Sequence, residues 1–160
     1  MTSMSAGCGL ALHNQKVMDE ALQRKSDELS ESTRRRIERA AGELLRYMLL
    51  VGQTRWESPI SGTTDFAREF VAAGPRDKQG RSLRDLELKT RLFRYPCSFL
   101  IHSESFDALP QPALDEVYRQ LWAALTGQTK EKDLLAIPAD ERKAVLEILR
   151  ATKTNLPGYY

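Results

Sequence analysis

Histidine is the side chain best placed to move protons near neutral pH, and this sequence has two, His13 and His102. His102 follows Cys97 by five residues, a spacing that on a regular helix separates the side chains by about 140° and does not aim imidazole at thiol. Ser98, Ser103 and Ser105 lie near His102, but no Gly-x-Ser-x-Gly elbow is present, and serines beside a helix break more often cap it. Cys8 and Cys97 form no Cys-x-x-Cys pair and make no zinc quartet with the two histidines. Cys97 therefore reads as a buried structural thiol, and neither a catalytic residue nor a metal ligand is assigned. The segment from Gly74 to Gly80 carries neither a Gly-x-x-x-x-Gly-Lys-Ser/Thr loop nor a Gly-x-Gly-x-x-Gly turn, so no nucleotide is implied and the cofactor is left unassigned.

The acids Asp115-Glu116 and Asp140-Glu141 stand at expected helix starts, where the helix dipole favours them. One stretch departs from the background. Between Arg76 and Arg94 there are seven basic residues (Arg76, Lys78, Arg81, Arg84, Lys89, Arg91, Arg94) against three acids (Asp77, Asp85, Glu87), a local charge of +4 in a chain whose total is +2. Arg76, Lys78, Arg81, Arg84, Arg91 and Arg94 are the candidate contacts for an anion or an acidic partner, with Arg76 and Arg81 on a glycine-punctuated loop ahead of an expected helix N-terminus. The competing reading, which the sequence favours, is a solvated face that pairs with acidic helices elsewhere in the chain. A protein partner ranks above nucleic acid, because only Phe93 and Tyr95 interleave the patch and no helix-turn-helix spacing is evident.

These residues must be positioned mainly by helices. Residues 1–14 read as a flexible terminus, followed by a modest helix from Gln15 to about Lys25 with Val17, Met18, Ala21 and Leu22 on one side. Ser30 to Thr33 offer N-cap oxygens for a helix whose Ile37, Ala41, Leu44, Leu45, Met48 and Val51 form one apolar stripe up to Gly52. Arg35, Arg39 and Arg46 fall off that stripe. Thr63 and Thr64 are expected to cap a short helix with Phe66, Phe70 and Val71 inward, ended by Gly74-Pro75. Ser82 and Asp85 resemble a capping box that starts a helix through Leu83, Leu86, Leu92 and Phe93, stopped by Pro96. Phe99-Leu100-Ile101 reads as helix from its surroundings. Leu114, Val117, Tyr118, Leu121, Trp122 and Leu125 mark a central helix from Pro112 to Thr126, with Leu121 and Trp122 in the core. After a charged loop, Pro138 opens a last helix carrying Val145, Ile148 and Leu149.

The sum is an all-α fold, a single compact bundle of about five to seven helices over residues 15–160. Its 160 residues, 41% hydrophobic and 29% charged, fit one globular domain. The longest apolar runs, Tyr47 to Val51 and the equally long Leu121 to Leu125, fall far short of the roughly 20 residues that span a bilayer. Ser5-Ala6-Gly7-Cys8 has the small residues that precede a lipidation cysteine, without the basic and apolar regions of a signal peptide. The location read from these residues is cytoplasmic by default.

Ser61-Gly62-Thr63-Thr64-Asp65-Phe66, Gly74-Pro75-Arg76-Asp77, Gly80-Arg81-Ser82-Leu83-Arg84-Asp85, Leu92-Phe93-Arg94-Tyr95-Pro96-Cys97-Ser98-Phe99-Leu100-Ile101 and Phe106-Asp107-Ala108-Leu109-Pro110 together resemble the C-terminal region of a group of larger, uncharacterised bacterial proteins. The likeness runs from about Leu29 onward. It implies a helical accessory domain of cytochrome-like envelope proteins that carry a haem-attaching part upstream, and hence an envelope location. The chain itself has no Cys-x-x-Cys-His motif, and Cys8-Gly9-Leu10-Ala11-Leu12-His13 lacks the second cysteine and the spacing. The expected function is a non-enzymatic accessory or protein-interaction domain; the alternatives are part of a haem-linked electron-transfer protein and a nucleic-acid-binding domain that uses residues 76–94. No oligomeric state is assigned.

Overall fold

The computed structural model describes residues 2–21, 29–61 and 65–160. Among them seven α-helices follow in order: α1 (Thr2–Ala21), α2 (Glu31–Met48), α3 (Phe66–Ala72), α4 (Glu104–Asp107), α5 (Gln111–Thr126), α6 (Lys132–Leu135) and α7 (Ala139–Thr152), with a 3-10 turn at Phe99–His102 ahead of α4. The fold is an all-α bundle. α2 lies along α5, which packs on α7, and α1 packs against α2.

Each long helix is explained by its apolar spacing and its ends. Ser30 caps α2 by accepting the Thr33 N–H on its hydroxyl at 3.2 Å, and Thr33, Ile37, Ala41, Leu44, Leu45 and Met48 are its buried stripe. The helix stops one turn before Gly52. Leu50 turns into the left-handed region (φ 54°), its N–H reaches the Tyr47 carbonyl, and the Val51 N–H reaches back to the Arg46 carbonyl at 3.0 Å. That is the paired-bond ending usually given to glycine, here made by leucine. α5 starts with Pro112 in its first turn and ends at Gly127, φ 77°. Its buried residues are Ala113, Val117, Tyr118, Leu121, Ala124 and Leu125. Val145, Ile148 and Leu149 of α7 are fully enclosed, and burying side chains of this kind stabilises by about 1.5–3 kcal/mol each.

Four expectations need correction. α1 begins at Thr2 and not at Gln15, so helix occupies the stretch expected to be a flexible terminus; Leu12 packs beside Ile37 and Ala113, and the Gln15 side-chain oxygen accepts the Ser30 N–H at 3.0 Å, which ties this helix to the start of α2. The expected continuation through Leu22 to Lys25 lies outside the described residues, as do the expected caps Thr63 and Thr64. Phe66 does not face inward but is 67% exposed: it opens α3 and stacks on Phe70 at 5.9 Å, which itself meets Phe93 and Phe99. Trp122 is only partly buried: the side of α5 facing the core is centred on Leu121 and Ala124, and the indole turns to meet Tyr160 and Tyr159 edge to face, with ring centroids at 5.2 and 5.9 Å.

The fourth correction is the largest. No helix forms over 82–95. The capping contacts expected of Ser82 and Asp85 are present, with the Asp85 carboxylate accepting the Ser82 N–H at 3.0 Å and the Ser82 hydroxyl accepting the Arg84 N–H at 3.2 Å, yet the chain then turns back on itself. Leu88 adopts φ 57°, the Glu87 carboxylate accepts the N–H groups of Lys89, Thr90 and Arg91 at 2.7–3.1 Å, and Leu86 pairs with Phe93 in an isolated antiparallel bridge. A side chain that satisfies three consecutive amides offers the backbone an alternative to helix. The same amides hold the Glu87 carboxyl below its ordinary range, the Thr90 N–H foremost. Residues 73–98 thus form an irregular strap over one side of the bundle, anchored where the Ser98 N–H donates to the Met48 carbonyl at 2.7 Å.

Candidate functional site

The strap carries the whole basic segment, and its backbone turns sort the arginines into two kinds. Asp77 sits in a tight turn: one of its carboxylate oxygens accepts the N–H groups of Gln79 and Arg81 at 2.9 and 2.8 Å, and the other receives the Arg81 Nε at 2.7 Å. Burial alone would raise the Asp77 carboxyl, but the Arg81 amide, the Arg81 guanidinium and the Gln79 amide outweigh it and hold the pKa below the ordinary value. The far end of Arg81 reaches α7, where Nη2 donates to Glu147 at 2.8 Å. Arg91 makes a bidentate pair with Glu141 of α7 at 2.8 and 2.9 Å and also donates to the Arg94 carbonyl at 2.7 Å. Arg76 donates to the carbonyls of Gly80 and Val71 and to Asp85.

Arg76, Arg81 and Arg91 are therefore internal fasteners. Glu141 and Glu147 raise the guanidinium pKa of Arg91 and Arg81 against desolvation, and the two contacts rivet the strap to α7. Lys78 and Arg94 are exposed, with the Arg94 guanidinium 5.7 Å from the Tyr95 ring.

Arg84 differs from all of these. Its guanidinium carbon lies 4.3 Å from the centroid of Phe99 and 4.7 Å from that of Phe70, and no carboxylate or carbonyl among the described residues receives its side-chain N–H groups. The two rings meet edge to face at 5.2 Å, and Phe93 joins both at about 6 Å. Gly74 makes room for the stem, since a Cβ there would stand 2.7 Å from Arg84 Cδ and 2.8 Å from Ser82 Oγ. A guanidinium held by its face on aromatic rings keeps its in-plane donors for an acceptor.

A cleft of about 330 Å³ opens beside this guanidinium, lined among others by Pro75, Arg84, Phe99, Leu100, His102 and Ser103. Leu100 stands at its lip, 39% exposed. His102 lies 3.0 Å through Nε2 from the Thr152 hydroxyl. Burial lowers its pKa most, the charges of Lys153 and Arg84 lower it further, and the Phe99 carbonyl and Asp107 oppose them. Behind it Lys153, almost fully enclosed, donates to both oxygens of Asp107 at 2.6 and 2.8 Å.

Cys97 and His102 do not form a nucleophile and base. Burial pushes the fully enclosed thiol up to about 12, which keeps it protonated at neutral pH, and its sulfur faces the Ser98 carbonyl. Among the described residues no three His, Cys, Asp or Glu side chains converge to hold a metal ion, and no helix is long and apolar enough to cross a membrane. Sequence reasoning picks out Arg84 but not the residues that make it distinct. Phe70 and Phe99 stand 29 positions apart, and only the strap's return path brings them together; Gly74, spaced ten residues before Arg84, is the one local trace of a close approach. No family model, curated protein or solved structure gives a significant match to the chain.

Proposed function

We propose that this chain is a non-enzymatic helical interaction domain, an accessory part of a larger bacterial protein as its motifs imply, whose partner contact is the cleft at Arg84. The observation that carries this reading is the division of labour among the strap arginines. Arg76, Arg81 and Arg91 spend their donors inside the fold, whereas Arg84 is oriented by two phenylalanines at a concave surface with exposed apolar neighbours, a combination frequent at protein–protein hot spots. The same division weighs against nucleic acid. A phosphate backbone is bound by several unpaired cations along a face, and here Glu141, Glu147, Asp77 and Asp85 already neutralise much of the segment.

The test is affinity co-purification with the wild-type chain and with Leu100→Asp in parallel, followed by reconstitution from purified components. Leu100 is exposed and makes no polar contact with its side chain, so the variant keeps the fold. A partner that binds the wild type and loses about tenfold or more in affinity for the variant supports the reading, a size expected when an apolar hot-spot contact is replaced by a charge. A partner indifferent to Leu100→Asp overturns the cleft as the contact, and binding that survives only at low salt to DNA would favour nucleic acid instead.

A further inference from the structure

From the geometry around Arg84 we infer that the cleft reads a carboxylate side chain of an acidic peptide segment, Arg84 taking the carboxylate while Pro75, Phe99 and Leu100 take an adjacent apolar residue. This rests on the interaction-domain reading and specifies its ligand. The planar guanidinium offers two parallel N–H groups, the arrangement that pairs with a carboxylate in bidentate fashion, as Arg91 already does with Glu141 in this same strap. None of the described residues places a carboxylate on Arg84, and the ligand inferred here would supply one.

Charge complementarity points the same way. The groups facing the cleft are Arg84 and His102, with Lys153 behind His102 and compensated by Asp107. An arriving anion meets one uncompensated guanidinium. The Ser103 hydroxyl, also on the lining, donates to the Leu100 carbonyl at 2.7 Å and accepts the Phe106 N–H at 3.2 Å, so its hydrogen is already used inside the fold and Arg84 is the group that fixes the anion's position. A single cation beside apolar walls matches an acidic side chain flanked by an aliphatic one. The repeated phosphates of a nucleic acid would find one seat only. Aromatic packing restrains the guanidinium before binding, which lowers the entropy lost on association.

The experiment is an amide and arginine Nε–H NMR titration of the full chain with a blocked hexapeptide of alternating leucine and glutamate, beside its leucine–glutamine counterpart, sodium acetate and inorganic phosphate. The inference requires saturable shifts at Arg84, Phe99, Leu100 and His102 with the glutamate peptide, and affinity about tenfold weaker for the glutamine peptide, the loss expected for one charge-assisted bidentate contact. Arg84→Met should bring the two peptides to equal affinity. Arg84→Lys, which keeps charge and stem but not the fork, should restore only part of the difference and guards against a packing defect at Phe70 and Phe99.

Equal binding of both peptides at the same residues overturns carboxylate reading while leaving the interaction surface standing. Binding of neither peptide overturns this inference even where the co-purified partner still depends on Leu100. Shifts produced by phosphate and not by the peptide, or by raising the protein concentration alone, replace the peptide by a phosphate or by a second copy of the chain.

Discussion

The α2–α5–α7 seam and the strap are held by opposite means. At the seam, Leu45, Leu121, Val145, Ile148 and Leu149 are removed from water with no polar partner to satisfy, so its stability is a sum over non-directional contacts and scales with buried area. The strap sends Leu83, Tyr95 and Cys97 into the same core, but its path is set by polar contacts. It is held by Asp77, Asp85 and Glu87 turned onto its own amides and by Arg81 and Arg91 tied to α7. A region of the first kind tolerates changes that preserve volume, whereas one of the second kind is sensitive to the loss of a single charged atom pair. The strap's route, rather than a helix face, brings Arg84 onto Phe70 and Phe99.

The largest expected effect is at Cys97, where the end of the strap enters the core beside the seam. With its pKa pushed up to about 12 by burial, Cys97 should react with iodoacetamide at pH 8 at least about a thousandfold more slowly in the folded chain than in urea, because only the thiolate is the nucleophile. Peptide mapping separates Cys97 from Cys8. Alkylation at the unfolded rate would mean that the end of the strap lifts freely off the core it is packed into. Next is volume: Leu45→Ala should cost about 2–5 kcal/mol in urea unfolding, as expected for an enclosed leucine. Trp122→Ala should cost less than that, since the indole is partly exposed.

Arg81→Met probes the other half of the comparison. It removes the donors to Asp77 and Glu147 and should cost about 1–3 kcal/mol, the range for hydrogen bonds to charged groups. The loss should be local: amide exchange at Arg81 and Arg94, whose N–H groups hold the strap's turns, should quicken well before exchange in α5. Uniform quickening across both regions would show that strap and seam unfold as one unit. The pairing also explains why neutralising Arg76, Arg81 and Arg84 together would confuse folding with binding, and why single variants at Arg84 and Leu100 are the sharper tools.

How much of this is legible in the residues follows the same division. Ile37, Leu44, Leu45 and Met48 repeat at helical spacing, and so do Val117, Leu121 and Leu125; periodicity suffices because burial alone fixes those elements. Ser82 and Asp85 read as a capping box, and their capping bonds do form. The next decision lies with Glu87, whose carboxylate gathers three amides, and no local pattern distinguishes that from a first-turn acid. Arg81 and Arg91 show only as charge. Their partners Glu147 and Glu141 lie 66 and 50 residues away, a separation that short-range spacing does not reach. The site at Arg84 needs Phe70 and Phe99 to meet, and that meeting is a consequence of the strap's route.

The smallest effect concerns His102, which sits where the two regions touch. Its pKa in the folded chain is lowered, first by burial and then by Lys153 and Arg84, while in the unfolded chain it titrates near the ordinary value of about 6.5. As pH falls below that value the unfolded state takes up the proton first, so folding stability is complete above it and declines as pH drops toward the folded pKa. Between about pH 7 and pH 5 this should appear as a modest loss of stability in urea titrations. His102→Gln should flatten that slope. Arg84→Met should reduce it without abolishing it, because one of the two cations that disfavour imidazolium is removed while burial remains. Stability that rises on acidification over this range in the wild type, and not in His102→Gln, would mean that Asp107 and the Phe99 carbonyl dominate the ring's surroundings and that the cleft beside it carries a more negative field than Arg84 gives it.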